Sequence, residues 1–206
     1  MNDIYIIGIT GTICSGKSRL CSAFTKKGIP TIDSDKVGHQ VMNEQTTIET
    51  LIQHFGKEIY DETTQSIDRK KLGEIVFRNK KKLNELNDIM WDRIEEKIKH
   101  QIEQLKLEGH KIVVVEAAML IKTNWMKWMN SIWVTTISPA IATERMKAGR
   151  NLNEDECKKR IKNQPSSKQY AQYADVLFDT RFKRKTLEKT FSQAIDDLLF
   201  ELNINI

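Results

Sequence analysis

The sequence predicts an α/β fold in which a parallel sheet is flanked by helices, with a helical insertion and a lid. Three observations carry this. The apolar run Ile4-Tyr5-Ile6-Ile7-Gly8-Ile9 reads as a central strand buried on both faces, and it passes through a glycine-rich loop into a helix. Further apolar runs of strand length follow, set apart by stretches at helix spacing. Between Thr46 and Gly109 the pattern is almost wholly helical, too long for a simple connection within the core. The expected division is a core of about 1–45 and 110–206, an insertion of about 46–109 and a lid of about 145–165.

The loop is Gly11-Thr12-Ile13-Cys14-Ser15-Gly16-Lys17-Ser18, which matches G-x-x-x-x-G-K-[ST]. Placed between a strand and a helix, such a loop surrounds a β-phosphate with backbone N–H groups and the positive end of the helix dipole. Lys17 would reach the β- and γ-phosphates, and the Ser18 hydroxyl would ligate Mg²⁺. Leu20, Phe24 and Cys21 form the inner side of the helix that follows. Cys14 sits just ahead of that helix and three residues from Lys17, where dipole and cation both favour thiolate. The alternative is an inert residue turned into the core.

Gly28 stops the helix, and Pro30-Thr31-Ile32 starts a second strand that ends in Asp33-Ser34-Asp35. Acids at the carboxyl end of a strand lie where α/β sheets bind ligands. They can hold Mg²⁺ through water or take a proton from a hydroxyl, although one of them can simply cap the next helix. Within the helical stretch, Ile48, Leu51, Ile52 and Phe55 share a face and Gly56 closes it. After a polar turn Asp68 is placed to cap a helix bearing Leu72, Ile75 and Val76. A long helix then runs to Gly109, with Trp91 read as core packing.

Ile112-Val113-Val114-Val115-Glu116 is the next buried strand, and Glu116 at its end is a second candidate for Mg²⁺. Residues 132–137 form another strand, closed by Ser138-Pro139 as N-cap and first helical residue. That helix carries Arg145. Gly149 reads as a break with Arg150 beyond it, and Asn153 with Glu156 forms a capping box for a second helix. An Arg-bearing helix, a glycine break and a second helix look like a lid whose arginines close on a transferring phosphoryl group. Residues 176–179 form the last strand and 183–202 the closing helix.

Composition narrows the partners. At 206 residues with 39% hydrophobic and 30% charged content, the chain reads as a globular domain with a sizeable core. No apolar stretch approaches the ~20 residues of a membrane span. The first strand begins straight after Met1-Asn2-Asp3, so no signal peptide is expected. The cysteines Cys14, Cys21 and Cys157 show neither a disulfide framework nor a zinc spacing, so a reducing cytoplasm is expected. The net charge of +5 comes from basic clusters on separate segments with few aromatics between them, unlike a stacking groove for nucleic acid. A monomer binding neither nucleic acid nor membrane is the expectation.

Taken together these residues resemble the dephospho-CoA kinase family, most closely the kinase domain of bifunctional CoA synthase. The likeness is carried by Gly8 to Ser18, Ile32-Asp33-Ser34-Asp35, Ile67 to Gly73, Val76-Phe77, Asp88 to Trp91, Glu116 to Leu120 and Arg160-Ile161-Lys162-Asn163-Gln164. The resemblance implies a P-loop kinase that phosphorylates the ribose 3′-hydroxyl of dephospho-CoA with ATP and Mg²⁺. It makes Asp35 the base, with Lys17 and Arg145 as catalytic cations. It places Gly11 to Ser18 and Arg150 on the nucleotide, and Asp33, Asp68, Arg69 and Gln164 on the acceptor. Glycine is usual in the family where Thr12 and Cys14 stand, an acid is usual at Lys122, and Arg150 falls one place late with Gly149 in its slot. A kinase for another small alcohol, or a weak nucleotide-binding homologue with a regulatory role, are the competing readings.

Overall fold

The computed structural model describes residues 4–150 and 152–205, with the side chain of Arg150 outside the described part. In chain order the elements begin with β1 (Tyr5–Gly11), α1 (Lys17–Thr25), β2 (Thr31–Asp33), α2 (Ser34–Met42) and α3 (Gln45–Phe55). Then come β3 (Tyr60–Asp61), β4 (Ser66–Ile67), α4 (Arg69–Val76), α5 (Lys80–Leu107), β5 (Ile112–Glu116) and β6 (Ser131–Thr136). The chain closes with α6 (Pro139–Arg150), α7 (Glu154–Lys162), α8 (Ser167–Ala171), β7 (Val176–Asp179) and α9 (Arg184–Glu201). No helix among the described residues is long and apolar enough to cross a membrane.

The chain forms two compact units, one holding the sequence up to Ile32 and from Gln104 onward, the other Asp33–Glu103. The first contains a sheet of order β2-β5-β1-β6-β7. β1 pairs in parallel with β5 (Ile7 opposite Val114) and with β6 (Gly11 opposite Thr135), and β7 extends β6 in parallel. Central parallel strands are covered on both faces, which is why β1 and β5 read as unbroken apolar runs. Ile7, Ile9, Val113, Val114 and Val115 are fully buried. On one face α1 and α9 press Leu20, Phe24, Leu187, Phe191 and Ile195 against the sheet. Aromatic rings join these layers. Phe24 meets Trp133 at 5.1 Å, Trp133 meets Phe178 at 5.6 Å, and Phe178 meets Phe191 edge-on at 5.0 Å.

The second unit is helical, and its extent differs from the expected 46–109. α2 belongs to it, because Gly38 lets that helix lie against α5: a Cβ there would stand 3.2 Å from Ile94 Cδ1. α5 turns Met90, Ile94, Ile98 and Ile102 inward at helix spacing. Arg93 fans its guanidinium across the α3 hydroxyls, with Nη2 donating to Thr50 Oγ1 at 2.8 Å and Nη1 to Thr47 Oγ1 at 3.3 Å. Trp91 is only half-buried, a correction to its reading as core. The polar turn after Gly56 holds a hairpin, Tyr60 opposite Ile67, whose two-residue strands are too short to show alternation.

Phe191 is 1% exposed at the centre of the aromatic layer. Truncating it to alanine removes a full ring from a packed interior, so Phe191→Ala should lower stability by about 3–5 kcal/mol. The change in urea unfolding midpoint at constant slope measures it.

Candidate phosphate-binding site

The site begins where β1 runs out. Gly11 adopts φ 145°, and a Cβ on it would lie 1.9 Å from the Thr135 carbonyl oxygen of β6, so only glycine fits. The next N–H, that of Thr12, donates to the same carbonyl at 3.2 Å. Thr135 also grips the loop from below, since its hydroxyl and that of Ser15 lie 2.6 Å apart, both side chains buried. Sequence reasoning missed Thr135; the only signal was a pair of threonines ending an apolar strand.

Between these anchors the loop turns sharply. Ser15 N–H donates to Thr12 O at 3.2 Å, Cys14 takes a left-handed φ of 57°, and Gly16 caps α1 at φ 93° without a side-chain hydrogen bond. Among the described residues, the N-cap thus supplies no side-chain hydrogen bond to the first turn of α1, the arrangement in which a helix start receives an anion. Lys17 folds over the loop, its Nζ donating to Gly11 O and Thr12 O, each at 3.1 Å. Ser18 is exposed, and its hydroxyl donates to Glu116 Oε1 at 3.4 Å. Cys21 Sγ donates to the other carboxylate oxygen of Glu116 at 3.3 Å. The strand end of β5 and the helix start of α1 therefore meet at a Ser–carboxylate pair.

Arg145 reaches the loop from α6. Its Nη1 donates to Cys14 O at 3.0 Å and its Nη2 to Thr180 O at 2.6 Å, so one guanidinium ties the loop to the residue after β7. Burial first, and then the charge of Arg19, holds this guanidinium below the usual arginine range. Gly149 does not break the helix: α6 runs through it to Arg150. Gly149 is exposed in the last turn, where the backbone cost of glycine is only about 1 kcal/mol. The side chain of Arg150 lies outside the described residues. Asn153 and Glu156 form the expected capping box of α7. Tyr170, fully buried in α8, donates its hydroxyl to Ala118 O at 2.8 Å, and burial pushes its phenol up to about 12. Lys122 is exposed in a 3-10 turn, Leu120–Lys122.

In the helical unit the acids divide as caps and exposed groups. Asp33 Oδ1 accepts from the N–H groups of Asp35 (3.0 Å) and Lys36 (3.2 Å), and caps α2. Asp35 is exposed in the first turn of that helix, and among the described residues no hydrogen bond or ion pair engages its carboxylate. Asp68 caps α4 in the same manner, through Lys70 N at 3.0 Å and Lys71 N at 3.1 Å, and Arg69 is exposed beside it. Gln164 follows α7 in the sheet-bearing unit with its Oε1 buried.

A family model for dephospho-CoA kinase matches residues 5–184. The dephospho-CoA kinase of Dehalococcoides mccartyi is 31% identical over 183 residues, covering 89% of this chain and 92% of that protein. That of Lactobacillus johnsonii is 31% identical, covering 94% of this chain and 98% of its own. Among solved structures, one from Thermus thermophilus superposes with a TM-score of 0.81 at 22% identity, covering 98% of this chain and 99% of that one. A shikimate kinase from Bacteroides thetaiotaomicron shares the fold at a TM-score of 0.50 and 16% identity, covering 95% and 98%.

Two outcomes follow from the loop geometry. Gly11→Ala should cost about 1–3 kcal/mol or more, because the methyl meets backbone that cannot turn aside; thermal unfolding measures it. Cys14 is half-exposed, whereas Cys21 and Cys157 are 7% and 0% exposed, so it is not the core residue of the alternative reading. Iodoacetamide should label Cys14 first and ATP with Mg²⁺ should protect it, as read by peptide mapping; equal labelling of the three would contradict this.

Proposed function

This chain belongs to the dephospho-CoA kinase family, and we propose how its residues divide the work of that reaction. The enzyme transfers the γ-phosphoryl group of ATP to the ribose 3′-hydroxyl of dephospho-CoA, giving CoA and ADP at the end of CoA biosynthesis. The observation that carries the reading is the loop Gly11 to Ser18 held open between β1 and α1 by Thr135 and Arg145. Lys17 exchanges its two loop carbonyls for the β- and γ-phosphate oxygens. Those carbonyls hold the ammonium beside the phosphate position beforehand, so little reorganisation accompanies binding.

Ser18 and, directly or through water, Glu116 would hold Mg²⁺. Their oxygens lie 3.4 Å apart, and one hydroxyl with one carboxylate is the small protein share that this ion takes alongside waters and phosphates. When bound, the ion would offset the negative charge of the phosphates during transfer. Asp35 is the general base: the acceptor oxygen bonds to the γ-phosphorus, the bond from that phosphorus to the β-phosphate oxygen breaks, and the proton passes to Asp35. The separation of roles at Asp33 and Asp35 supports this. Asp33 is committed to two backbone N–H groups, while Asp35 keeps an exposed carboxylate just past the carboxyl end of β2. Arg145 positions the loop through Cys14 O, and Asp68 and Arg69 with Gln164 bind the acceptor. The three cysteines carry thiols, two of them buried, which suits a reducing cytoplasm.

ADP release with dephospho-CoA as acceptor, and the product identified by mass, tests the activity as a whole. Lys17→Ala should lower kcat/KM by about 10²–10³, the range for losing one preorganised electrostatic group, with an unchanged circular dichroism spectrum. Asp35→Asn should lower kcat by about 10²–10⁴ with little change in KM. Asp33→Ala should instead lower stability by about 0.5–2 kcal/mol through the lost cap. If the Asp33 variant loses turnover and the Asp35 variant keeps it, the two roles are exchanged.

A further inference from the structure

Glu116 closes β5, with Ile9 of β1 opposite it in register. The N–H of the next residue, Ala117, donates to Ile9 O at 2.9 Å, so the backbone is held through the strand end. The side chain is held separately, by α1, which meets each carboxylate oxygen with a different donor. Ser18 Oγ donates to Oε1 at 3.4 Å and Cys21 Sγ to Oε2 at 3.3 Å. Residues three apart share a helix face, so both donors come from one side of α1. Their surroundings differ. Ser18 is exposed, whereas Cys21 is 7% exposed within the apolar cluster that includes Ile9, Leu20 and Phe24. The carboxylate thus spans from the open phosphate loop to the edge of the core.

A thiol suits the inner end of this bridge on two counts. Cysteine packs as a small apolar side chain, and its S–H is still a donor, though a weak one. A carboxylate oxygen turned towards an apolar surface loses hydrogen bonds to water, and a donor placed there offsets part of that loss. Alanine would satisfy the packing but leave Oε2 without this donor. The terminal torsion of glutamate is broad, so the carboxylate could then turn, and Oε1 would no longer be kept beside Ser18. We propose that Cys21 is a positioning residue for the ion-binding carboxylate. Its thiol fixes Oε2 of Glu116 so that Oε1 stays on the Ser18 side, where Mg²⁺ would be held. Partners of this kind orient a ligand without touching the ion, and losing one lowers metal affinity by about 10–100-fold. A thiol is a weak donor, so the lower end of that range applies here.

The inference rests on Glu116 serving Mg²⁺, and its test reads binding rather than turnover. Calorimetry on the intact chain gives the affinity for ADP with and without Mg²⁺, and the ratio of the two is the ion's contribution. Cys21→Ala should reduce that ratio by roughly 10-fold while the metal-free affinity stays as in the wild type. Cys21→Val, which fills the space without a donor, should do the same and serves if the alanine variant does not fold. Cys21→Ser keeps a donor and should retain most of the Mg²⁺ advantage. In a Glu116→Gln background, Cys21→Ala should change nothing further. A wild-type ratio in Cys21→Ala and Cys21→Val, with the ratio lost in Glu116→Gln, overturns the role of Cys21 and leaves that of Glu116 standing. An equal loss of metal-free and Mg²⁺-dependent affinity also overturns it, because the thiol then matters only for packing. If Glu116→Gln itself keeps the wild-type ratio, the assignment of Glu116 to Mg²⁺ falls and this inference falls with it.

Discussion

The approach of β1 to β6 at its carboxyl end is the constraint on which the site depends. Thr135 presents its carbonyl where a side chain on Gly11 would have to be, takes the N–H of Thr12 and holds the buried hydroxyl of Ser15. With both ends pinned to the same residue, the loop between them has little choice of path. It passes through a left-handed Cys14, a conformation that costs roughly 1–2 kcal/mol in a non-glycine residue, and into a left-handed Gly16. The strain is tolerated because the surrounding bonds over-determine the turn. A phosphate site of this kind works only if its N–H groups already point inward before the ligand arrives, and that is what the anchoring to β6 secures.

Arg145 extends the same logic outward. Lid arginines are usually imagined as mobile, yet here the guanidinium bridges the loop carbonyl of Cys14 and the carbonyl of Thr180, which follows the edge strand. The α6 helix is thereby coupled to the loop it overhangs. Tyr170 does the equivalent for α8, fastening it to Ala118 just past the β5 carboxylate. Each polar tether is made by a side chain mostly or wholly removed from solvent, where a hydrogen bond left unmade is expensive. In the helical unit the corresponding role falls to Asp33 and Asp68, each closing a helix start through two backbone N–H groups.

Much of this was legible in the chain. The strands β1, β5, β6 and β7 appear as apolar runs because both faces of a parallel sheet are covered, and α5 appears as a stripe of Met90, Ile94, Ile98 and Ile102. Local signals also placed the caps at Asp68 and Asn153 correctly, since capping needs only neighbours within three residues. The hairpin at Tyr60 to Ile67 left too few residues for any periodicity, and Gly149 looked like a break because glycine serves both to end helices and to sit at exposed positions within them.

By itself, then, the sequence determined the order of the sheet strands and the longer helices, the phosphate loop and the family, because periodicity, caps and motif spacing are properties of adjacent residues. Tertiary structure alone decided the rest. That Thr135 would fix the loop, that Arg145 would serve as its tether, and that Asp33 would cap while Asp35 stayed open depend on partners brought together from distant positions or on which rotamer the packing selects. A hydrogen bond across 120 or 131 residues leaves no periodic trace in either segment that makes it.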